Sequence, residues 1–262
     1  MLSEALNFAA TYAAGPRRIS SEINGSVMLR ARAERCALSW KAHEEQCHAT
    51  IGEAIAGLSS KRTVAILGSG LLRDTPIGLL SQQFERVLLF DLQHLASTRL
   101  WTRLRGLGNL SYVWRDLSGF EEYRATGQPP RPLAFLEAIA DLDFVISANL
   151  LSQIGVGVGY RLKAGIAAPT DTLPTLIRAH VDGLSALNCP ACLITDIAYE
   201  VRDRTGRVLE RDDLMQGVTL PDADRSWDWT VAPFGELSPD YQAVHQVKAI
   251  RLPQAGRAPT LP

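Results

Sequence analysis

Apolar positions fall into short runs whose period changes twice along the chain. From Leu2 to Leu58 they recur at helical spacing. Leu2, Leu6, Ala9 and Ala13 share one face of an amphipathic opening helix. A break is predicted at Ile23-Asn24-Gly25. Val27 to Leu38 and Trp40 to Leu58 then read as one long helix or two joined ones, with Cys36, Trp40, His43, Cys47 and Ile51 on a common face.

Between Arg62 and Asp91 the pattern changes. Val64 to Leu67 is a short run rich in β-branched residues that ends in Gly68-Ser69-Gly70. Leu71, Leu72, Ile77, Leu79, Leu80 and Phe84 return to helical spacing. Val87 to Phe90 is a second buried run, closed by Asp91. This is strand, glycine turn, helix, strand, acid: the first half of a nucleotide-binding βαβ unit.

The alternation continues. Residues 94 to 105 read as a helix with Leu95, Leu100, Trp101 and Leu104 inward, followed by a third strand at Leu110 to Trp114 and then Asp116. Pro129-Pro130-Arg131-Pro132 marks a loop. Leu133 to Ala140 is a short helix and Asp143 to Leu150 a fourth strand. Gly155 to Thr170 is glycine-rich and irregular; it lies where a lid or substrate loop would sit, and reads equally as a disordered connection. Asp171 to Leu187 is a helix with Pro174 in its first turn and His180 on its apolar face. Ala191 to Thr195 is a fifth strand ending in Asp196.

The last part loses its helices. Ile197 to Arg211 reads as a hairpin about Asp203-Arg204-Thr205-Gly206. Ser226 to Val231 and Ala243 to Leu252 read as a late antiparallel pair. Pro253 to Pro262 reads as a mobile tail. The expected architecture is therefore α/β: a doubly wound, mainly parallel, seven-stranded sheet with a C-terminal antiparallel hairpin and an N-terminal helical extension. The expected division is a helical cap at 1–60, a Rossmann-like domain at 61–252 and a flexible tail at 253–262.

Length and charge narrow the function classes. A chain of 262 residues holds one large α/β domain plus an appendage. A formal net charge of −1 gives no electrostatic reason to expect a nucleic-acid or anionic-membrane partner. Arg99, Arg103 and Arg105 read as a solvated helix face. No run approaches a membrane span. The N-terminus lacks the basic start of a signal peptide, so a cytoplasmic location is expected.

The 4 cysteines are too sparse for a disulfide scaffold. Cys189-Pro190-Ala191-Cys192 precedes a strand rather than opening a helix, so it lacks the support a redox pair needs. His43 with Cys47, and Glu44 with His48, stand at metal-ligand spacing on a helix. A buried seam of small and aromatic side chains packing on the main domain is the stronger reading, and no metal is expected.

The glycine turn separates two ligand classes. A dinucleotide pyrophosphate normally needs a third glycine, but Arg73 stands there. Gly68-Ser69-Gly70 with Asp91 resembles the first motif and second-strand acid of the class I S-adenosylmethionine-dependent methyltransferases. The acid that usually precedes the first glycine is replaced by Ala65 or Ile66. Asp116 resembles the residue that binds the adenine amino group. Asn149-Leu150-Leu151-Ser152 resembles the motif beside the transferred methyl, without the prolines of amide-methylating enzymes. The late strand pair resembles that family's closing hairpin.

The resemblance implies S-adenosyl-L-methionine as cofactor and methyl transfer to an unidentified acceptor, expected to be a small molecule. Gly68, Ser69, Gly70, Asp91, Asp116 and Asn149 are the implied cofactor residues. Ser152, Trp40 and His43 are candidate acceptor residues, and Asp196 and His245 candidate catalytic ones. Trp227 and Trp229 could line an apolar pocket. The alternatives are a catalytically silent methyltransferase-like scaffold and an NAD(P)-dependent oxidoreductase.

Overall fold

A computed structural model describes residues 2–16 and 18–256. Three helices come first: α1 (Leu2–Ala14), α2 (Ser20–Arg35) and α3 (Ala37–Ala56). The alternating part follows as β1 (Thr63–Leu67), α4 (Ile77–Gln83), β2 (Arg86–Asp91), α5 (Ala96–Leu104), β3 (Leu110–Trp114), α6 (Phe120–Thr126), β4 (Leu142–Ala148), α7 (Leu150–Lys163), α8 (Thr172–Ser185) and β5 (Ala191–Asp203). The chain closes with β6 (Val208–Asp213), β7 (Arg225–Ala232) and β8 (Tyr241–Leu252).

These strands form one eight-stranded sheet in the order β3-β2-β1-β4-β5-β8-β7, with β6 paired to β5. The first five are mutually parallel, and β8 runs antiparallel between β5 and β7. This is the doubly wound sheet and antiparallel ending that the sequence predicts, with one strand more than the expected seven. The extra strand arises because β5 does not stop at Asp196. It bulges at Ile197 and continues to Asp203, where it also pairs with β6.

Every residue of β1 is buried, as a central parallel strand covered on both faces requires. On one face Val64, Ile66, Leu89, Ile146 and Ile194 pack under Trp40, Cys47, Ile51 and Ile55 of α3. On the other Leu67, Val145 and Leu193 pack under Ile177, Val181 and Leu184 of α8. Burying each large apolar side chain contributes about 1.5–3 kcal/mol. Helix α3 is thus one layer of the domain core, although it lies within the stretch read as a cap.

Several expectations change. The break at Ile23-Asn24-Gly25 is absent; α2 runs through it because Ile23 is an anchor, packed with Val27 against Leu95. The helix after β1 starts at Ile77, not Leu71, and residues 68–76 form a long turn with Leu72 at φ 60°. The stretch read as irregular from Gly155 is mostly α7, held by Ile154 and Val158. The expected helix at 133–140 is a 3-10 turn at Ala134–Ala138. The described part of the tail is tied down by the Ala255 N–H donating to Leu187 O at 2.9 Å. Residues 257–262 of that predicted tail lie outside the described residues.

Two helices are turned inside out. In α1 the apolar Leu2 and Leu6 face solvent, while the polar Thr11 is buried. In α5 Thr98 and Thr102 are buried, and Leu100, Trp101 and Leu104, expected inward, are exposed. The inner polar groups are used. Thr11 Oγ1 and Asn7 Oδ1 accept the N–H groups of Ala96 and Ser97, the start of α5, and Arg99 donates to Ala14 O. Helix α1 therefore caps α5 from outside, and Arg99 leaves the expected solvated face.

Candidate functional site

In open α/β sheets ligands bind beyond the carboxyl ends of the strands. At that edge the backbone N–H groups of Gly68 and Ser69 both donate to Phe90 O, at 2.9 and 3.2 Å. This folds the turn back over the end of β2. Gly68 has φ 74°, and a Cβ there would stand 3.0 Å from Leu150 Cβ. The turn is therefore built for glycine at this position.

Asp91 closes β2. Its Oδ2 accepts the Gly70 N–H at 2.6 Å, and Oδ1 faces the Gln93 N–H at 3.4 Å. Burial pushes this carboxyl above its ordinary value, against the pull of the Gly70, Gln93 and Leu92 backbone donors. A half-buried carboxylate held by backbone N–H groups favours further hydrogen-bond donors. Beside it His94 donates to Val113 O at 3.2 Å and stands edge-on to Tyr112 and Trp114. Burial pushes His94 down to about 4. The buried indole N–H of Trp114 has no hydrogen-bond partner among the described residues. Asp116 Oδ1 accepts both the N–H and the hydroxyl of Ser118, so this oxygen shapes the turn into α6.

The second half of the crevice gathers around Trp229. His43 from α3 stacks on its ring at 4.0 Å, and Trp40 meets it edge-on at 5.1 Å. His245 of β8 approaches at 5.5 Å. His245 Nδ1 is hydrogen-bonded to Asp196 Oδ2, and Ser152 donates to Asp196 Oδ1 at 2.6 Å. With Nδ1 on a buried carboxylate, Nε2 is the ring nitrogen left to exchange a proton. The β5 bulge matters here: Asp196 sits just before it and Tyr199, opposite His245, just after it.

Asn149 at the end of β4 adopts φ 51° and donates to Asp74 Oδ2 at 2.8 Å. His43 Nε2 lies 3.3 Å from Asp74 Oδ1. Trp227 donates its indole N–H to His43 Nδ1 at 3.1 Å.

The residues expected to act together thus fall into two groups on one edge. Gly68, Ser69, Gly70 and Asp91 form one, with Asp116 one strand further out. Trp40, His43, Asn149, Ser152, Asp196 and His245 form the other, linked through Trp229. Trp40 and His43 are 3% and 1% exposed, so they shape a wall rather than offer surface. His180 is fully buried against Ser147, and Cys189 and Cys192 are buried free thiols. Asp74, His94 and Tyr199 escaped sequence reasoning. The only signal for Asp74 is its place two residues before Pro76, at the start of α4.

A cleft of about 920 Å³ opens at the opposite, amino-terminal edge of the strands, lined by Ser60, Arg62, Asp143, Asn188 and Gln254 among others. None of the expected site residues reaches it.

No protein-family model and no curated protein matches the chain. Solved structures similar to it include the N-methyltransferase NodS from Bradyrhizobium japonicum with S-adenosyl-L-homocysteine, at 12% identity, 82% of this chain, 88% of that one and TM-score 0.40. An rRNA methylase from Streptococcus thermophilus is similar at 15% identity, covering 78% and 95%, with TM-score 0.35. The glycopeptide N-methyltransferase MtfA with S-adenosyl-L-methionine is similar at 14% identity, covering 79% and 77%, with TM-score 0.32.

Proposed function

We propose that the protein transfers a methyl group from S-adenosyl-L-methionine to a small-molecule acceptor. The observation that carries this reading is the juxtaposition of two features at one sheet edge. One is a glycine turn bonded to the terminal acid of β2. The other is the Asp196–His245 pair on β5 and β8.

The residues fit the cofactor. Asp91 would accept the ribose hydroxyls, and the bare backbone of Gly68-Ser69-Gly70 would lie along the methionine moiety. His94 and Trp114 would flank the adenine. When bound, the cofactor supplies a methyl group on a sulfonium whose sulfur is a good leaving group. Orientation can therefore contribute about 7–11 kcal/mol of the barrier lowering.

His245 accepts the acceptor's proton on Nε2. Asp196 fixes the ring in the Nδ1–H tautomer and stabilises the imidazolium that results. Ser152 holds the second Asp196 oxygen, so the carboxylate keeps its orientation.

Calorimetric titration with S-adenosylhomocysteine tests the reading. Binding by the wild type that disappears in Asp91→Ala supports it. Binding of NADH or NADPH in its place would overturn it in favour of an oxidoreductase, and binding of none of the three would favour a scaffold.

A further inference from the structure

The inversion of α5 leaves an outer surface that the fold itself does not use. Thr98 and Thr102 turn inward, so Leu100 and Leu104, one helical turn apart, form the outward crest. They are 57% and 79% exposed, and Trp101 beside them is exposed as well. Helical periodicity puts Arg103 on one flank of this crest and Trp101 with Arg105 on the other. The Arg105 guanidinium lies over the Trp101 ring, 5.4 Å from its centre.

The charge here has one sign. The whole chain carries a formal −1, but between Asp91 and Asp116 there is no Asp or Glu, only Arg99, Arg103, Arg105 and Arg115. Arg103 and Arg105 are exposed and have no carboxylate partner among the described residues. Arg99 donates to the Ala14 carbonyl, which leaves its charge unmatched. At the start of the helix Arg30, which donates to Ser97, is already answered by Glu34. The unmatched charge therefore runs along α5 from Arg99 to Arg105.

An apolar crest between unpaired arginines limits what can cover it. A second copy of the chain, meeting this face through the same face, would set Arg103 and Arg105 against their own like with no acid between them. A nucleic acid would engage the arginines and the indole, but would leave Leu100 and Leu104 against phosphates and base edges. An anionic lipid surface accepts both: phosphates for the arginines, and the acyl boundary for leucine and tryptophan.

We propose that α5 docks the protein on an anionic membrane surface. Leu100, Leu104 and the Trp101 ring enter the boundary between headgroups and acyl chains, and Arg103 and Arg105 meet lipid phosphates. A helix of 9 residues is too short to cross a bilayer, so α5 lies in the plane of the surface. The proposal does not rest on the methyl-transfer reading, because these five side chains take no part in the crevice.

Sedimentation of the full chain with vesicles tests it. One set is phosphatidylcholine alone, the other equal parts phosphatidylcholine and phosphatidylglycerol. The wild type binds the second and not the first, and its binding weakens as salt is raised. Arg103→Gln with Arg105→Gln loses about 25-fold in affinity, about fivefold for each charge. Leu100→Gln with Leu104→Gln keeps every charge and loses about tenfold or more. Melting curves confirm that both variants fold. In the wild type, lipids brominated on their acyl chains quench part of the tryptophan emission, and Trp101→Phe loses that part.

No binding to either set of vesicles would overturn the proposal. So would binding that survives the leucine substitutions in full, since charge alone would then hold the protein. A uridine oligonucleotide bound through the arginines without vesicle binding would reassign the face to nucleic acid. A dimer that the leucine substitutions dissociate, again without vesicle binding, would reassign it to a second copy. Either result overturns the membrane assignment.

Discussion

Gly70 donates its backbone N–H to Asp91 at 2.6 Å, across the gap between the β1 turn and the tip of β2. The contact holds the glycine turn open beside an acid whose burial disfavours its charge. A group whose folded pKa is raised above the unfolded value of 3.8 gives stability that is complete below 3.8. That stability is lost as pH rises through the folded value. Asp91→Asn keeps an acceptor for Gly70 and removes the charge. It should melt no lower than wild type at pH 7 yet lose S-adenosylhomocysteine binding. A large drop in melting temperature would show that the charge is structural.

Side-chain caps from Thr11 and Asn7 tie helix α1 to the start of α5, beside the packing of Phe8 with Leu95. Thr11→Ala should cost about 0.5–2 kcal/mol and speed amide exchange at Ala96. Leu6→Gln and Leu104→Gln should change stability by less than about 0.5 kcal/mol, since these leucines are 62% and 79% exposed. Chemical denaturation of the three variants separates the two contributions.

The glycines of the turn differ in kind. At Gly68 an added Cβ meets Leu150 at 3.0 Å and the backbone is left-handed, whereas at Gly70 the nearest atom is 3.8 Å away. Gly68→Ala should therefore lose more stability than Gly70→Ala, which carries only the conformational cost of about 1–2 kcal/mol. Equal losses would mean that the Leu150 contact relaxes.

The Asp196–His245 pair makes a prediction that needs no acceptor. Nitrogen chemical shifts should show His245 with its proton on Nδ1 and His43 with its proton on Nε2. Asp196→Asn should disturb the first ring and Trp227→Phe the second, each leaving the other unchanged. In either variant the disturbed histidine loses the partner that fixes its tautomer. If an acceptor is found, His245→Gln should lower turnover by about 10²–10⁴ without weakening S-adenosylhomocysteine binding.

Where the sequence was readable, the reason is periodicity. The runs at Val64, Val87 and Phe144 have no room to be anything but buried strands, and Gly68-Ser69-Gly70 with Asp91 marks the crevice without coordinates. The helix faces of α1 and α5 were misread because amphipathic spacing states that two faces differ, not which one faces inward. Asn7 and Thr11 decide that through long-range caps, which no local pattern displays. Asp74 was missed for a similar reason. Its partners His43 and Asn149 lie on α3 and at the end of β4, and the Trp227 bond that sets the His43 tautomer arrives from β7.

Acid should unfold the protein through two buried histidines. His94 and His180 are 2% and 0% exposed, and burial lowers both from 6.5 to about 4. They remain neutral in the fold and take up protons on unfolding. Their contribution is complete above pH 6.5 and is lost as pH falls through that window towards 4. Each is worth of order 3 kcal/mol across the window. His180 has only Ser147 as partner, at 3.0 Å, and its Nδ1 is buried without one among the described residues. His180→Gln should therefore flatten the dependence of unfolding free energy on pH between 6.5 and 4 by about one proton. Urea titrations at pH 7, 6, 5 and 4.5 measure the slope. An unchanged slope would mean that His180 already exchanges its proton in the folded state.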